Sequence, residues 1–305
     1  MTGSIVVTGC GGLGSAVIAR LAGGALPVVV IDNAEREHPA GAIGERCDVR
    51  DRAAVTTLLR RYRPVAVVHT AGLVGDAAKA QPALAESVNV GGTATVAAAC
   101  ADTGVPRLVI TSSLAVYGTR LAAGPAEDAP PAPRSHYGRT KLAAELVAAT
   151  AVQDSSTALV AMRLAGLYGG RDGQGGWMNA GLDAMLRAGA AGHDIDCAAP
   201  ATGREHLHVD DAADAVRLAA LRAADPPVVV NVGAGRLDSV WELAAVLREL
   251  LPAVTVRARP EPGGVDRPLD ITLASRVLGY RPLIGLAAGL RRMLERLRAS
   301  SQVTR

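Results

Sequence analysis

Along the first half of the chain, short β-branched apolar runs alternate with longer Ala/Leu-rich stretches. Residues 4–8, 27–32, 65–70, 107–112 and 159–164 read as strands, and 14–22, 51–61, 83–103 and 137–150 as the helices between them. A further strand is expected to end in "CDVRD", at residues 47–51. The runs are continuously apolar rather than alternating, as expected of parallel strands covered on both faces by crossover helices. Such a sheet binds ligands beyond the carboxyl ends of its strands.

After about residue 165 the rhythm changes. "GGRDGQGG", residues 169–176, reads as a loop, and helices over 177–188, 239–250 and 286–299 predict a smaller second lobe. Residues 228–232 read as one more buried strand, returning to the sheet. The expected fold is α/β, a doubly wound parallel sheet (Rossmann) with an interleaved C-terminal substrate lobe. Residues 1–165 and 206–233 belong to the sheet domain, and 166–205 and 234–305 to the lobe.

The stretch "SIVVTGCGGLGSAVIARL" is strand, glycine turn and helix. Gly9, Gly11 and Gly14 fit G-x-G-x-x-G, which brings backbone N–H groups and a helix N-terminus to a pyrophosphate. Gly12 and Leu13 complete the turn, and an alternative register reads Gly9, Gly12 and Ser15. "VVVIDN" then ends a strand with Asp32 and Asn33. A carboxylate there accepts ribose hydroxyls and repels a 2′-phosphate, so NAD is expected over NADP. Asp48, beside Val49, is the candidate that reaches the adenine.

Charge and composition narrow the picture. In 305 residues the 32 Lys+Arg include only two lysines, Lys79 and Lys141, and Lys141 stands four residues after Tyr137 in "HYGRTKLAAE". Positions i and i+4 share a helix face, so phenol and ammonium enter one site. A nearby cation favours the phenolate, which predicts a general acid or base that works near neutral pH. A net charge of +3 without a basic cluster gives no sign of nucleic acid. Four scattered cysteines without a CxxC pair give none of a metal site or disulfide framework, and they fit a reducing cytoplasm. No signal peptide and no membrane span are expected. Trp177 and Trp241 read as core, His208 as a packed residue, and Asp210 as the cap of the helix that follows it.

Further motifs fall in a specific order. "HTAG" (residues 69–72), "NVGGT" (89–93), "TSSLAVYG" (111–118), "RLAGLYG" (163–169), "REHLHVDDAADAV" (204–216) and "DITLASRVLGY" (270–280) together resemble the extended short-chain dehydrogenase/reductases, the group of nucleotide-sugar epimerases and dehydratases. The resemblance spans essentially the whole chain. It implies cofactor contacts from Thr70, Ala71, Gly72, Asn89 and Thr111, besides Tyr137 and Lys141. It also makes Ser113 the hydroxyl on the reacting oxygen and Arg204 the diphosphate arginine, with Arg267 or Arg259 as the second.

Two departures matter. Relatives that eliminate water carry acids just before "VYG", where this chain has Leu114 and Ala115, so dehydration is excluded. Gly166 and Gly170 stand where relatives often have Asn and Pro. The leading expectation is an NAD-dependent 4-epimerase of a nucleotide-linked sugar. The alternative is a dehydrogenase or ketoreductase of a sugar, sugar acid or secondary metabolite, and a sensor without catalysis is a third class. Relatives dimerise through two helices per subunit, here about 83–103 and 137–151, which predicts a homodimer.

Overall fold

The structure is a computed structural model that describes residues 3–303 apart from residue 36 and segments 119–123, 171–175 and 223–228. The sheet domain starts with β1 (Ser4–Thr8), α1 (Gly12–Leu21), β2 (Val28–Asp32), β3 (Ala42–Arg46), α2 (Arg52–Tyr62) and β4 (Pro64–His69). The short helices α3 (Gly75–Ala80) and α4 (Pro82–Glu86) follow, then a π-helical turn over Ser87–Gly92 and α5 (Thr93–Thr103). β5 (Arg107–Ser113) runs into a 3₁₀ turn, Leu114–Tyr117, and α6 (His136–Val152) precedes β6 (Ala158–Leu164). The remainder holds β7 (Gly166–Tyr168), α7 (Gly176–Ala190), β8 (Ile195–Pro200), β9 (His206–His208), α8 (Val209–Leu221) and β10 (Val229–Val232). The chain closes with α9 (Val240–Leu250), β11 (Val256–Glu261), α10 (Thr272–Leu278) and α11 (Leu286–Val303).

Seven parallel strands form the central sheet in the order β10-β6-β5-β4-β1-β2-β3. The period-two rule divides each strand between two cores. Ile5 and Val7 pack on one side with Val17, Ile18, Ala212 and Val216, while Val6 packs on the other with Val55, Leu59 and Val96. Helices therefore cover both faces. The chain leaves β1 in one direction for β2 and β3, then returns to place β4 on the opposite side. The ends of β1 and β4 thus flank the switch point where such sheets bind ligands.

Several expectations are corrected. The third strand ends at Arg46, and Cys47–Asp51 is a connection in which the Asp51 carboxylate caps α2 by accepting the Ala54 N–H at 3.0 Å. The single helix expected over 83–103 is interrupted by the π turn. Gly91 and Gly92 are poor helix formers there, and the side chain of Asn89 is committed elsewhere. Asp210 does not cap α8; the His208 ring accepts the Asp210 N–H at 3.1 Å, with Asp210 in the first turn. Trp241 is 55% exposed rather than core. Trp177 and most of the loop at 169–176 lie outside the described side chains and residues.

The C-terminal part has its own core, with Leu182, Leu186, Leu243, Leu247, Leu290 and Leu294 packed together. Two short parallel pairs, β11 with β8 and β7 with β9, were not foreseen. β10 joins the main sheet beside β6. Buried Asp211 on α8 accepts the N–H groups of Leu283 and Ile284 at 3.1 and 2.8 Å, tying the approach to α11 onto the sheet domain.

Candidate active site

At the end of β1 the chain turns so tightly that only glycine fits. Gly9 has φ +84°, and a Cβ there would lie 2.7 Å from the Ala71 backbone; one on Gly14 would lie 1.9 Å from the Gly9 carbonyl. The Thr70 hydroxyl donates to the carbonyls of Thr8 and Gly9 at 2.8 and 3.0 Å, which holds the turn to the end of β4. α1 begins at Gly12 with no side-chain cap, so its first N–H groups face a ligand site. Asp32 ends β2 and accepts the N–H groups of Cys10 at 2.7 Å and Ala34 at 3.0 Å. These bonds fix its carboxylate beside the turn.

The reacting end is built by β5 and α6. The Ser135 hydroxyl caps α6 by accepting the Gly138 N–H at 3.0 Å. Gly138 lets the first turn approach closely, since a Cβ there would stand 2.6 Å from the Ala115 carbonyl. Tyr137 thereby reaches the end of β5, where its hydroxyl is hydrogen-bonded to Ser113. Lys141, one turn on and 6% exposed, donates to the Thr111 carbonyl at 2.8 Å and lies 5.8 Å from the Tyr137 ring centroid.

The electrostatics correct one expectation. Burial dominates at Tyr137 and pushes its phenol up to about 12, and only the Ser113 hydrogen bond works in the other direction. The Lys141 ammonium, 5.8 Å from the ring centroid, does not offset that burial. Burial lowers Lys141 to about 8, opposed by the charge of Glu145. Beneath it His69 is fully buried between the hydroxyls of Thr8 (2.6 Å) and Thr93 (3.1 Å), and burial holds it neutral, down to about 3.

One cavity of about 620 Å³ joins the two ends. Gly11, Gly12, Leu13, Gly14, Thr70 and Gly72 line its nucleotide side, and Thr111, Ser113, Tyr137 and Lys141 its reacting side. Arg204 and Arg267 also face it. Arg259 on β11 does not compete for that role, being bonded to Asp196 on β8 at 2.8 Å and to Glu261 on its own strand at 2.9 Å. Leu114 and Ala115, at the places where acids would drive dehydration, are apolar wall.

Other expected residues lie behind or beside this wall. Gly9 and Ala71 pack on each other, and Val49 packs on Gly92. Asn89 is 1% exposed, and its amide accepts from Leu73 N–H and donates to the Leu73 carbonyl and Thr140 Oγ1. It braces the cofactor side from within rather than touching the cavity. Both oxygens of Asp48 are held by the Arg50 guanidinium, whose hydrogen bonds keep the carboxyl below its usual range. Asn33 is exposed, and Asp32 lines a separate hollow of about 270 Å³ with Cys10, His38 and Arg46.

Some residues escaped the sequence reading. Met178 fills the space over Gly166, where an added Cβ would be 2.2 Å from the Met178 Cε. Glu205 lies on the wall with its carboxylate accepting the N–H groups of Gly235 (3.0 Å) and Leu269 (2.9 Å), and burial raises it to about 7. No local pattern announces either; Met178 comes from α7 and Glu205 from the approach to β9, and they reach the cavity only in the fold.

A dinucleotide cradle at a sheet switch point, continuous with a Tyr/Lys/Ser cluster, defines an enzyme of the Rossmann type. The chain belongs to the NAD dependent epimerase/dehydratase family, which matches residues 5–233. It is 30% identical to a UDP-glucose 4-epimerase of Azospirillum brasilense, over 91% of this chain and 86% of that one. It is also 32% identical to a dTDP-6-deoxy-L-talose 4-dehydrogenase (NAD(P)(+)) of Kitasatospora kifunensis, over 94% and 93%. Among solved structures, MoeE5 in complex with UDP-glucose and NAD superposes with a TM-score of 0.83 at 30% identity, covering 98% of this chain and 100% of that one.

Proposed function

We propose that this protein is an NAD-dependent 4-epimerase of a nucleotide-linked sugar. The observation that carries this reading is the continuity of one cavity, from the Gly11–Gly14 turn through Tyr137, Ser113 and Lys141 to Arg204 and Arg267. NAD suits the cradle because Gly9 and Gly14 leave no room for side chains and the Asp32 carboxylate stands at the end of β2. When bound, NAD supplies the carbon that accepts and returns hydride, and the positive charge of its oxidised ring favours the phenolate.

The chain's own groups perform the rest. Ser113 Oγ orients the substrate hydroxyl, and the Tyr137 phenolic oxygen takes its proton as the sugar is oxidised to a 4-keto form. Lys141 Nζ, anchored on the Thr111 carbonyl, offers its remaining donors to the nicotinamide ribose. Arg204 and Arg267 hold the diphosphate. The side chains of Leu114 and Ala115 offer no hydrogen bond that would pin one face of the keto sugar. It can turn over and recover hydride on its other face while Tyr137 returns the proton. Net redox is zero.

The direct test incubates the purified protein with UDP- and dTDP-hexoses and resolves the C4 epimers. Appearance of the epimer without net NADH supports the reading. Stoichiometric NADH with a keto sugar supports instead the 4-dehydrogenase reading, which the Kitasatospora relative favours. We further infer a cytoplasmic homodimer paired through α5 and α6, where Leu146 is 60% exposed. Light scattering at micromolar concentration checks it, and a lone 31.1 kDa species counts against it.

A further inference from the structure

Below the catalytic residues lies a buried ionic layer that the proposed reaction does not use. Glu145 follows Lys141 by four residues on α6, so Tyr137, Lys141 and Glu145 share one helix face. Glu145 is 6% exposed, and Arg163 on β6 is 4% exposed. The guanidinium meets the carboxylate with two bonds, Nε to Oε1 at 3.0 Å and Nη2 to Oε2 at 2.7 Å. The Ser112 hydroxyl donates to the same Oε1, and Ser112 is the neighbour of Ser113 at the end of β5. Arg163 Nη1 also donates to the Tyr117 hydroxyl at 2.9 Å, which donates to Asn231 Oδ1 at 2.7 Å.

A buried ion pair contributes little net stability, since desolvation offsets most of the attraction. What this one supplies is geometry and field. The pair itself joins α6 to β6. The Ser112 bond to the same carboxylate joins α6 to β5, whose spacing sets the Tyr137–Ser113 contact. Glu145 puts a negative charge one helical turn below an ammonium in the interior.

We propose that Glu145, clamped by Arg163, is the positioning residue of this site: its carboxylate keeps Lys141 an ammonium and, through Ser112, fixes the β5 end against α6. The charged and titratable groups around Lys141 are Tyr137 and Glu145 on its own helix, Arg163 bonded to Glu145, and His69 on β4, with Lys79, His136, Arg204, Glu205 and Arg267 elsewhere on the cavity wall. His69 is neutral, so Glu145 is the negative group that opposes desolvation of the ammonium. The proposal does not depend on which sugar is turned over.

The two-lysine composition makes the test direct. Lysine labelled with ¹⁵N at Nζ gives two side-chain signals in the full-length protein, one from exposed Lys79 and one from Lys141. Titration of wild type is expected to show a Lys141 midpoint near 8. Glu145→Gln should lower that midpoint by at least about half a unit, and the alkaline limb of kcat/KM should move down by the same amount. The double variant Glu145→Leu/Arg163→Met exchanges the pair for apolar side chains, which protects the fold if Glu145→Gln alone fails to fold. A thermal midpoint restored in the double variant, with the Lys141 midpoint and the kinetic limb still displaced, supports the proposal. A Lys141 midpoint and pH profile equal to wild type in the double variant would overturn it, leaving the pair a purely structural staple.

Discussion

Replacing Tyr137 by Phe removes one oxygen and leaves the ring, the cavity wall and the helix face intact. On the proposed reading that oxygen moves the substrate proton, so kcat should fall by about 10²–10⁴, while fluorescence titration should show NADH binding within about twofold of wild type. Equal losses of rate and of cofactor affinity would show that the phenol binds rather than reacts. Tyr137 and Lys141 were legible in the sequence because i, i+4 spacing and a scarce residue type are local facts. The proton affinity of Tyr137 was not. It follows from burial that only the assembled cavity provides, and here burial outweighs a cation already committed to the Thr111 carbonyl. Glu145 sits at the next i+4 position, yet its importance depends on Arg163 and Ser112, which arrive from other strands.

Among the elements, the β1–α1 turn leaves least room. Gly14→Ala would bring a methyl to 1.9 Å from the Gly9 carbonyl, so the helix start must shift away from the pyrophosphate cradle. NADH affinity measured by fluorescence should weaken at least about tenfold, or 1.4 kcal/mol, with the thermal midpoint much less affected in relative terms. Unchanged affinity would place the dinucleotide elsewhere. The parallel strands were readable because their apolar runs are continuous and short, and both faces of the sheet are covered. The break between α4 and α5 was not, since Ala-rich sequence flanks Ser87–Gly92 on both sides and Asn89 turns inward to Leu73 and Thr140 only in the fold. The two-strand pairs β7–β9 and β8–β11 were equally hidden. β7 and β9 are only three residues long, and β11 carries Arg257 and Arg259 in an otherwise modest pattern.

At the scale of the molecule, the buried Asp211 carboxylate ties the segment that leads into α11 to α8. Asp211→Ala leaves the N–H groups of Leu283 and Ile284 without their acceptor, a loss of about 2 kcal/mol. A thermal midpoint lowered by several degrees, read by calorimetry, is the expected outcome. Glu205 supplies a pH dependence. Its folded value is raised from 4.5 to about 7, so between those values the folded state holds a proton that the unfolded chain has lost. Its contribution to stability is therefore present at low pH and disappears as pH climbs through that window. In Glu205→Gln the difference in unfolding free energy between pH 5 and pH 8 should shrink; an unchanged difference would show that Glu205 does not titrate there.

The central claim is that hydride leaves and returns to the same carbon within one continuous cavity. It is tested most directly with UDP- and dTDP-hexoses carrying deuterium at C4 of the sugar, the products being read by NMR and mass spectrometry. The account predicts a C4 epimer that retains its deuterium, with no deuterated NADH released. Deuterium found in free NADH beside a keto sugar, or exchanged into water, would contradict it.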